Sequence, residues 1–281
     1  MKKSFIKIMA LALISALVFA ISGCKETKDG SVIQRADLTI SYTVGGETAS
    51  INSTLTLYET FAPKTTERVI GLINDGFYND TVLTLSKQSD YVVVGGFKEG
   101  YEAKTYDSTV EGEFTQNGLK SELIVKAGAL VMLRDFDVDT GSVKYNSAKA
   151  SFAIVLTDNG TFNASEFCVF GYIDDASLTT LQSAISNAKD DGGRLRLRYV
   201  GDRDAQGKLT SNGSFEYFLN EGGEYLKKVG DDFVQMEYDG EGDVDYATKQ
   251  IIDDDDKVQD IFGLPAISFK VSLSMQSGCN R

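Results

Sequence analysis

Three observations predict a mainly β fold with two helices. Leu38, Ile40, Tyr42 and Val44 alternate with polar residues, and after Gly45-Gly46 the residues Ile51, Leu55 and Leu57 keep one face apolar, with Ser53 as the exception. Apolar runs then recur between turn residues at Tyr91-Val92-Val93-Val94, Ala129 to Leu133, Phe152 to Thr157 and Val169 to Ile173. Both patterns are those of strands, the first half-buried and the second fully so. Helical spacing occurs in two places, at Val69, Leu72 and Ile73 and at Leu178, Leu181 and Ile185.

The chain opens with Lys2, Lys3 and Lys7 around an apolar run from Ile8 to Ile21, which is short of the roughly twenty residues of a membrane span and reads as a signal peptide over residues 1–23. The run ends in Ile21-Ser22-Gly23-Cys24, which resembles the bacterial lipobox. That resemblance implies acylation of Cys24 as the first mature residue, and so a lipid-anchored protein of the bacterial cell envelope, outside the cytoplasm. Residues 24–36 are polar and lack periodicity, and are expected to form a tether.

Loss of the leader leaves 25 of the 28 basic residues against 41 acidic ones, so the formal charge falls from −13 to −16. Such a surface disfavours nucleic acid and anionic lipid headgroups as partners. No histidine is present anywhere. This removes serine-histidine and cysteine-histidine nucleophiles, imidazole metal sites and the usual near-neutral proton shuttle. Cys168 and Cys279 remain beside Cys24, and sequence leaves open whether they pair or stay as thiols.

Each element has its own local signal. The Asp37 to Leu57 region reads as a β-hairpin turning at Gly45-Gly46. Pro63 belongs in the first turn of the first helix, where its missing N–H is not needed, and Gly76 stops that helix. Further strands are expected at Glu122 to Lys126 and in the apolar runs above. The second helix is expected from about Asp175 to Lys189, with Asp174 or Asp175 as its N-cap. Residues 190–260 then carry their own strand signals, in Leu195, Leu197 and Tyr199 alternating with arginines and in Phe215, Tyr217, Phe218, Tyr225 and Leu226 around an Asn212-Gly213 turn. Pro265 to Val271 alternates again as a last strand, the domain closes near residue 275, and 276–281 form a tail.

Ala62-Pro63-Lys64-Thr65, Gly71-Leu72, Gly76-Phe77-Tyr78 and Gly95-Gly96, followed by Gly128-Ala129-Leu130-Val131-Met132, Ser151 to Leu156 and Val169-Phe170-Gly171, resemble in order and spacing the core blocks of the cyclophilin-type peptidyl-prolyl isomerases. The resemblance implies a closed eight-stranded antiparallel barrel capped by two helices, here spanning residues 37–275 with a strand-rich insertion before the last strand. It also implies proline-containing polypeptide segments as partners, no cofactor and no metal. A monomer is expected.

Carried over position by position, the family's site is uneven. Its catalytic arginine falls on Ser86, or on Leu85 counting forward from Phe77-Tyr78, and neither side chain donates as a guanidinium does. The pocket phenylalanine, methionine and glutamine fall on Tyr91, Val92 and Val94. Met132 is followed by Leu133 and Arg134 in place of a small and a polar residue. Ser151 and Ala153 replace a glutamine and a phenylalanine around a retained Phe152, Phe162 and Asn163 stand at the rim, and Phe167 replaces a histidine or tyrosine. Arg134 is the one arginine that the alignment brings to the pocket, and a salt bridge to Asp135 or Asp137 is its structural alternative. The expected function is therefore a membrane-anchored isomerase with weak activity on extracytoplasmic proteins. The alternative is a non-catalytic surface binding lipoprotein that uses the barrel and its insertion.

Two acidic segments, Asp135 to Asn146 and Asp239 to Gln250, space oxygen ligands as a calcium loop does, but lack the twelfth-position glutamate and the sixth-position glycine. They read as solvated loops, as does Asp253 to Lys257.

Overall fold

The computed structural model describes residues 26–28, 30–44, 46–85, 90–99, 104–119, 122–135, 144–158, 162–186, 195–199, 216–219, 225–229, 232–235, 244–245, 250–251, 261–264 and 268–277. The leader, Cys24, Ser86 and Cys279 lie outside them, as do residues 136–143 and 252–260.

Eight strands close into a barrel: β2 (Ser31–Val44), β3 (Glu47–Tyr58), β4 (Thr81–Leu85), β5 (Tyr91–Lys98), β6 (Ala129–Met132), β7 (Phe152–Val155), β8 (Val169–Ile173) and β16 (Lys270–Met275). Their hydrogen-bonded order is β2-β3-β8-β6-β7-β5-β4-β16, and β16 returns to pair with β2 from Lys270↔Ser41 to Met275↔Ala36. Every pairing in this ring is antiparallel. The β2–β3 hairpin pairs Val44 with Glu47, and Gly46 just before Glu47 holds a positive φ of 87°, as a tight hairpin turn favours.

Alternation along the strands sorts side chains into two layers. Leu38, Ile40, Leu55, Leu57, Val92, Val94, Leu130, Met132, Phe152, Ile154 and Phe170 fill the barrel. Val131, Ala153, Val155 and Val169 project from the outer face and join a second cluster. Helix α1 (Pro63–Asn74) and helix α2 (Asp175–Ser186) bury Val69, Leu72 and Ile73, and Leu178, Leu181, Ala184 and Ile185, into the interior cluster, as their spacing predicts. Asp174 is the N-cap of α2, accepting from the Ser177 N–H at 2.9 Å. Its other oxygen accepts from the Ser53 hydroxyl at 2.8 Å, so the polar exception in the hairpin is the point where α2 docks on β3.

The glycine and aromatic signature is a packing device. Tyr78 is fully buried, donates to the Ala150 carbonyl at 2.9 Å and lies edge-on to Phe152, which in turn lies edge-on to Phe170. Gly95 has a φ of 84°, and a Cβ there would stand 2.8 Å from Tyr78 Cε1. Gly171 is held for a different reason, since its Cβ would meet the Thr56 carbonyl oxygen at 2.4 Å across the β3–β8 pairing.

Several boundaries differ from expectation. The segment expected as a tether is structured from Glu26: β1 (Glu26–Lys28) pairs with β2, and β2 is already paired with β3 at Ile33↔Tyr58. Gln34 takes an inward register position beside Ala36 and Leu38, which breaks the apolar alternation, and its amide donates to Glu59 at 2.9 Å. Glu122 to Lys126 forms no strand; there Ile124 exchanges hydrogen bonds with the Tyr172 hydroxyl through both its N–H and its carbonyl. The closing strand starts at Lys270, later than Pro265, which lies outside the described residues. The insertion is strand-rich as expected, with an antiparallel run of β9 (Leu195–Tyr199), β10 (Glu216–Leu219), β11 (Tyr225–Val229) and β12 (Asp232–Gln235). A small hairpin, β13 (Val244–Asp245) with β14 (Gln250–Ile251), stands apart from that sheet. β15 (Ile261–Leu264) joins β9 to the barrel by pairing Gly263 with Leu85 of β4.

Candidate functional site

On the outer face of β5, β7, β6 and β8 the strands present Tyr91, Ala153, Val155, Val131 and Val169, and Leu133 continues the series just past β6. The 162–168 segment folds back over them. Phe162 lies 4.9 Å from the Tyr91 ring and 5.0 Å from the Phe167 ring, centroid to centroid, and both phenylalanines are only 7% exposed. Burial, reinforced by the neighbouring Asp90 carboxylate, pushes the Tyr91 phenol up to about 12, so it is a neutral hydroxyl at any physiological pH.

Arg134 stands at the edge of this patch, inside a box of three rings. Its Cζ is 4.1 Å from the centroid of Phe167, 4.9 Å from Phe114 and 5.1 Å from Tyr145. The residue is 7% exposed, and none of its three guanidinium nitrogens has a hydrogen-bond partner among the described residues. Burial lowers its pKa, while the Glu166 carboxylate and Tyr145 act in the opposite direction. The expected alternative of a salt bridge to Asp135 is not formed, because Asp135 faces Lys149 at 3.5 Å; Asp137 lies outside the described residues. An arginine stacked on aromatic faces with free N–H groups keeps its charge and its donors together.

The residues expected to bind substrate therefore divide. Tyr91, Leu133, Ala153, Phe162 and Phe167 are gathered on the outer face with Arg134 beside them. Val92, Val94, Met132 and Phe152 are inside the barrel, at 2% exposure or less, where a peptide on the outer face does not reach. The reason is the period-two alternation: neighbours on one strand face opposite ways, so Phe152 lies inside the barrel while Ala153 joins Tyr91, Phe162 and Phe167 outside. Ser151 precedes β7, and its carbonyl accepts from the Leu133 N–H at 3.1 Å. Asn163 is exposed and shapes its own turn, its Oδ1 accepting from the Ser165 N–H and hydroxyl. Leu85, the other position onto which the resemblance carried the family's arginine, points into the core.

Sequence reasoning missed Phe114, Tyr145, Gln116 and Glu166. The Tyr145 hydroxyl donates to Gln116 Oε1, and Gln116 Nε2 donates to Glu166 Oε1 at 3.0 Å. No periodic pattern marks these residues, which come from irregular segments. Cys168 sits behind the patch as a buried thiol 3.3 Å from the Thr65 hydroxyl, and burial pushes it up to about 12 despite that hydrogen bond. It is far too weakly acidic there to act as a nucleophile.

A family model described as cyclophilin type peptidyl-prolyl cis-trans isomerase/CLD matches residues 44–199, more than half of the 281. Peptidyl-prolyl cis-trans isomerase B of Escherichia coli (strain K12) is 29% identical over 121 residues, which cover 41% of this chain and 66% of that protein, just short of two thirds of its length. A crystal structure of a Cryptosporidium parvum cyclophilin type peptidyl-prolyl cis-trans isomerase is similar at a TM-score of 0.38 and 16% identity, over 73% of this chain and 99% of that one. The same Cryptosporidium parvum protein in the presence of the dipeptide Ala-Pro gives a TM-score of 0.37 and 18% identity, over 55% and 88%. With the family model spanning β3 to β9 and eight antiparallel strands closed into one ring, the chain belongs to the cyclophilin-type peptidyl-prolyl cis-trans isomerase family.

Proposed function

We propose that this chain is a peptidyl-prolyl cis-trans isomerase of weak activity. It is anchored through lipid on Cys24, it acts on proline-containing segments of extracytoplasmic proteins, and Arg134 is its hydrogen-bond donor. The observation that carries the reading is a guanidinium with no acceptor among the described residues, held beside the apolar outer surface of Tyr91, Leu133, Ala153, Phe162 and Phe167. The anchoring and location rest on the leader and the Ile21-Ser22-Gly23-Cys24 sequence.

Rotation about an X-Pro amide is slow because its partial double-bond character must be lost, at a barrier of roughly 18–20 kcal/mol. No nucleophile or proton shuttle is needed. An apolar surface that holds the proline ring, and a donor that binds the amide better when twisted than when planar, lower that barrier. The lack of histidine is compatible with this chemistry. Arg134 supplies five N–H groups, and a donor that reaches the twisted amide is worth about 2.7–4 kcal/mol in the transition state. Activity is weak in this reading because Ser86 or Leu85 stands where the family's catalytic arginine is expected.

The test is isomerisation of a short X-Pro peptide by the full chain in detergent micelles, with Arg134→Ala and Arg134→Lys alongside. A roughly hundred- to thousandfold loss in Arg134→Ala is expected, with partial recovery in Arg134→Lys. Turnover that survives Arg134→Ala removes Arg134 from the mechanism. A second reading, a non-catalytic binding module, is favoured by one observation: Phe162 and Phe167 already fill the surface that a proline ring would occupy. Absence of turnover in the wild type, with retained binding of a proline-containing peptide, selects it.

A further inference from the structure

The three rings around Arg134 come from three separate segments, and one exposed side chain ties them together. Phe114 precedes the short 3-10 turn Thr115–Asn117, Tyr145 lies between β6 and β7, and Phe167 leads into β8. Gln116, two residues past Phe114, accepts from the Tyr145 hydroxyl through Oε1 and donates through Nε2 to Glu166, the neighbour of Phe167. Its backbone N–H also donates to the Ser165 carbonyl at 2.8 Å. We propose that Gln116, with Tyr145 and Glu166, is a latch that holds the aromatic box shut over Arg134 and so limits how often the guanidinium meets a peptide.

The closed box is poised between two opposing effects. A buried cation with no acceptor among the described residues carries a loss of hydration that the three ring faces offset only in part. Opening hands its donors to water, or to the carbonyl oxygens of a bound peptide. Surface hydrogen bonds of ordinary strength add to the closed side of this balance, and a ligand that supplies an acceptor binds the open form preferentially. Gln116 is a positioning residue in this scheme, and its role rests on Arg134 being the donor.

The test uses the full chain in detergent micelles as wild type, Gln116→Ala and Tyr145→Phe; the latter keeps the ring and removes only the hydroxyl. Phenylglyoxal, which modifies accessible guanidinium groups, is followed at Arg134 by peptide mass mapping, with the other arginines as internal references. Modification of Arg134 is expected to speed up roughly three- to tenfold in both variants, and isomerisation of an X-Pro peptide to rise by a similar factor. Unchanged modification rates at Arg134 in both variants overturn the latch, whatever the turnover. Faster modification without turnover in any form upholds the latch and removes the isomerase reading instead.

Discussion

Glu113→Ala is expected to destabilise the protein by about 2–4 kcal/mol although Glu113 lies outside every regular element. Helix α1 begins with Ala62 as its N-cap, which offers no side-chain acceptor, and Pro63 has no N–H to satisfy. The next two donors, Lys64 and Thr65 N–H, go to the two oxygens of Glu113 at 2.9 and 2.8 Å, and the Thr66 N–H reaches the Ala62 carbonyl at 2.8 Å. A carboxylate 48 residues downstream of Thr65 thus completes the cap and places a negative charge on the positive end of the helix dipole. Losing a cap costs about 0.5–2 kcal/mol, and a partly buried charge at a helix end is worth up to about 2 kcal/mol more. Thr65 is buried, so water does not replace that bond, whereas it can reach the exposed Lys64. Glu113→Gln keeps one acceptor oxygen without the charge and should lose about half as much. Thermal unfolding followed by circular dichroism should show a fall of roughly 5–15 °C for the alanine variant, taking about 2–4 °C per kcal/mol for a chain of this size. A fall of less than about 2 °C would refute the accounting.

Two further substitutions probe other joints of the fold. Gly95→Ala should cost about 2–5 kcal/mol, adding a left-handed backbone conformation to a Cβ placed 2.8 Å from the Tyr78 ring; a melting temperature equal to wild type would show that Tyr78 does not need the space. Asp174→Asn keeps a cap oxygen but loses the charge at the helix N-terminus, and should cost about 0.3–1 kcal/mol at neutral pH. Burial pushes the Asp174 carboxyl up, but hydrogen bonds from Ser177, Ser53 and Thr54 together outweigh it and hold the folded value below 3.8. A depressed carboxyl contributes stability that is present above its unfolded pKa and vanishes as pH falls through the folded one. The gap in melting temperature between wild type and Asp174→Asn should therefore close on acidification below pH 3.8, and a constant gap down to about pH 2 would contradict the linkage.

The barrel was legible because its signals are local and repeated. Alternation along β2 and β3, the spacing of Val69, Leu72 and Ile73, and the glycines at positions 95 and 171 each mark a constraint that one residue type meets best. Legibility failed where a tertiary partner overrides the pattern. Gln34 is polar at an inward position because Glu59 accepts its amide, which hid the first residues of β2. The candidate site was harder to read. Arg134 and Phe167 were visible by alignment, but Phe114, Tyr145 and Gln116 sit in irregular segments, where neither period of two nor of 3.6 applies.

That division bears on what family membership implies for activity. The blocks that identify the family here, Gly76-Phe77-Tyr78, Gly95-Gly96 and Val169-Phe170-Gly171, supply turns, close backbone approaches and the Tyr78–Phe152–Phe170 stack inside the barrel. Stability alone is enough to hold such residues in place. The outward positions answer to whatever touches the surface, and Tyr91, Ala153, Phe162 and Phe167 there are free of the constraints that hold the interior. Interior and exterior are interleaved residue by residue on β5, β6 and β7, so one layer can change while the other stays fixed. The proposed isomerase activity consequently turns on the surface layer, and the Arg134 variants test it there, because the proposal needs Arg134 to leave its box and meet an amide beside Tyr91 and Phe162.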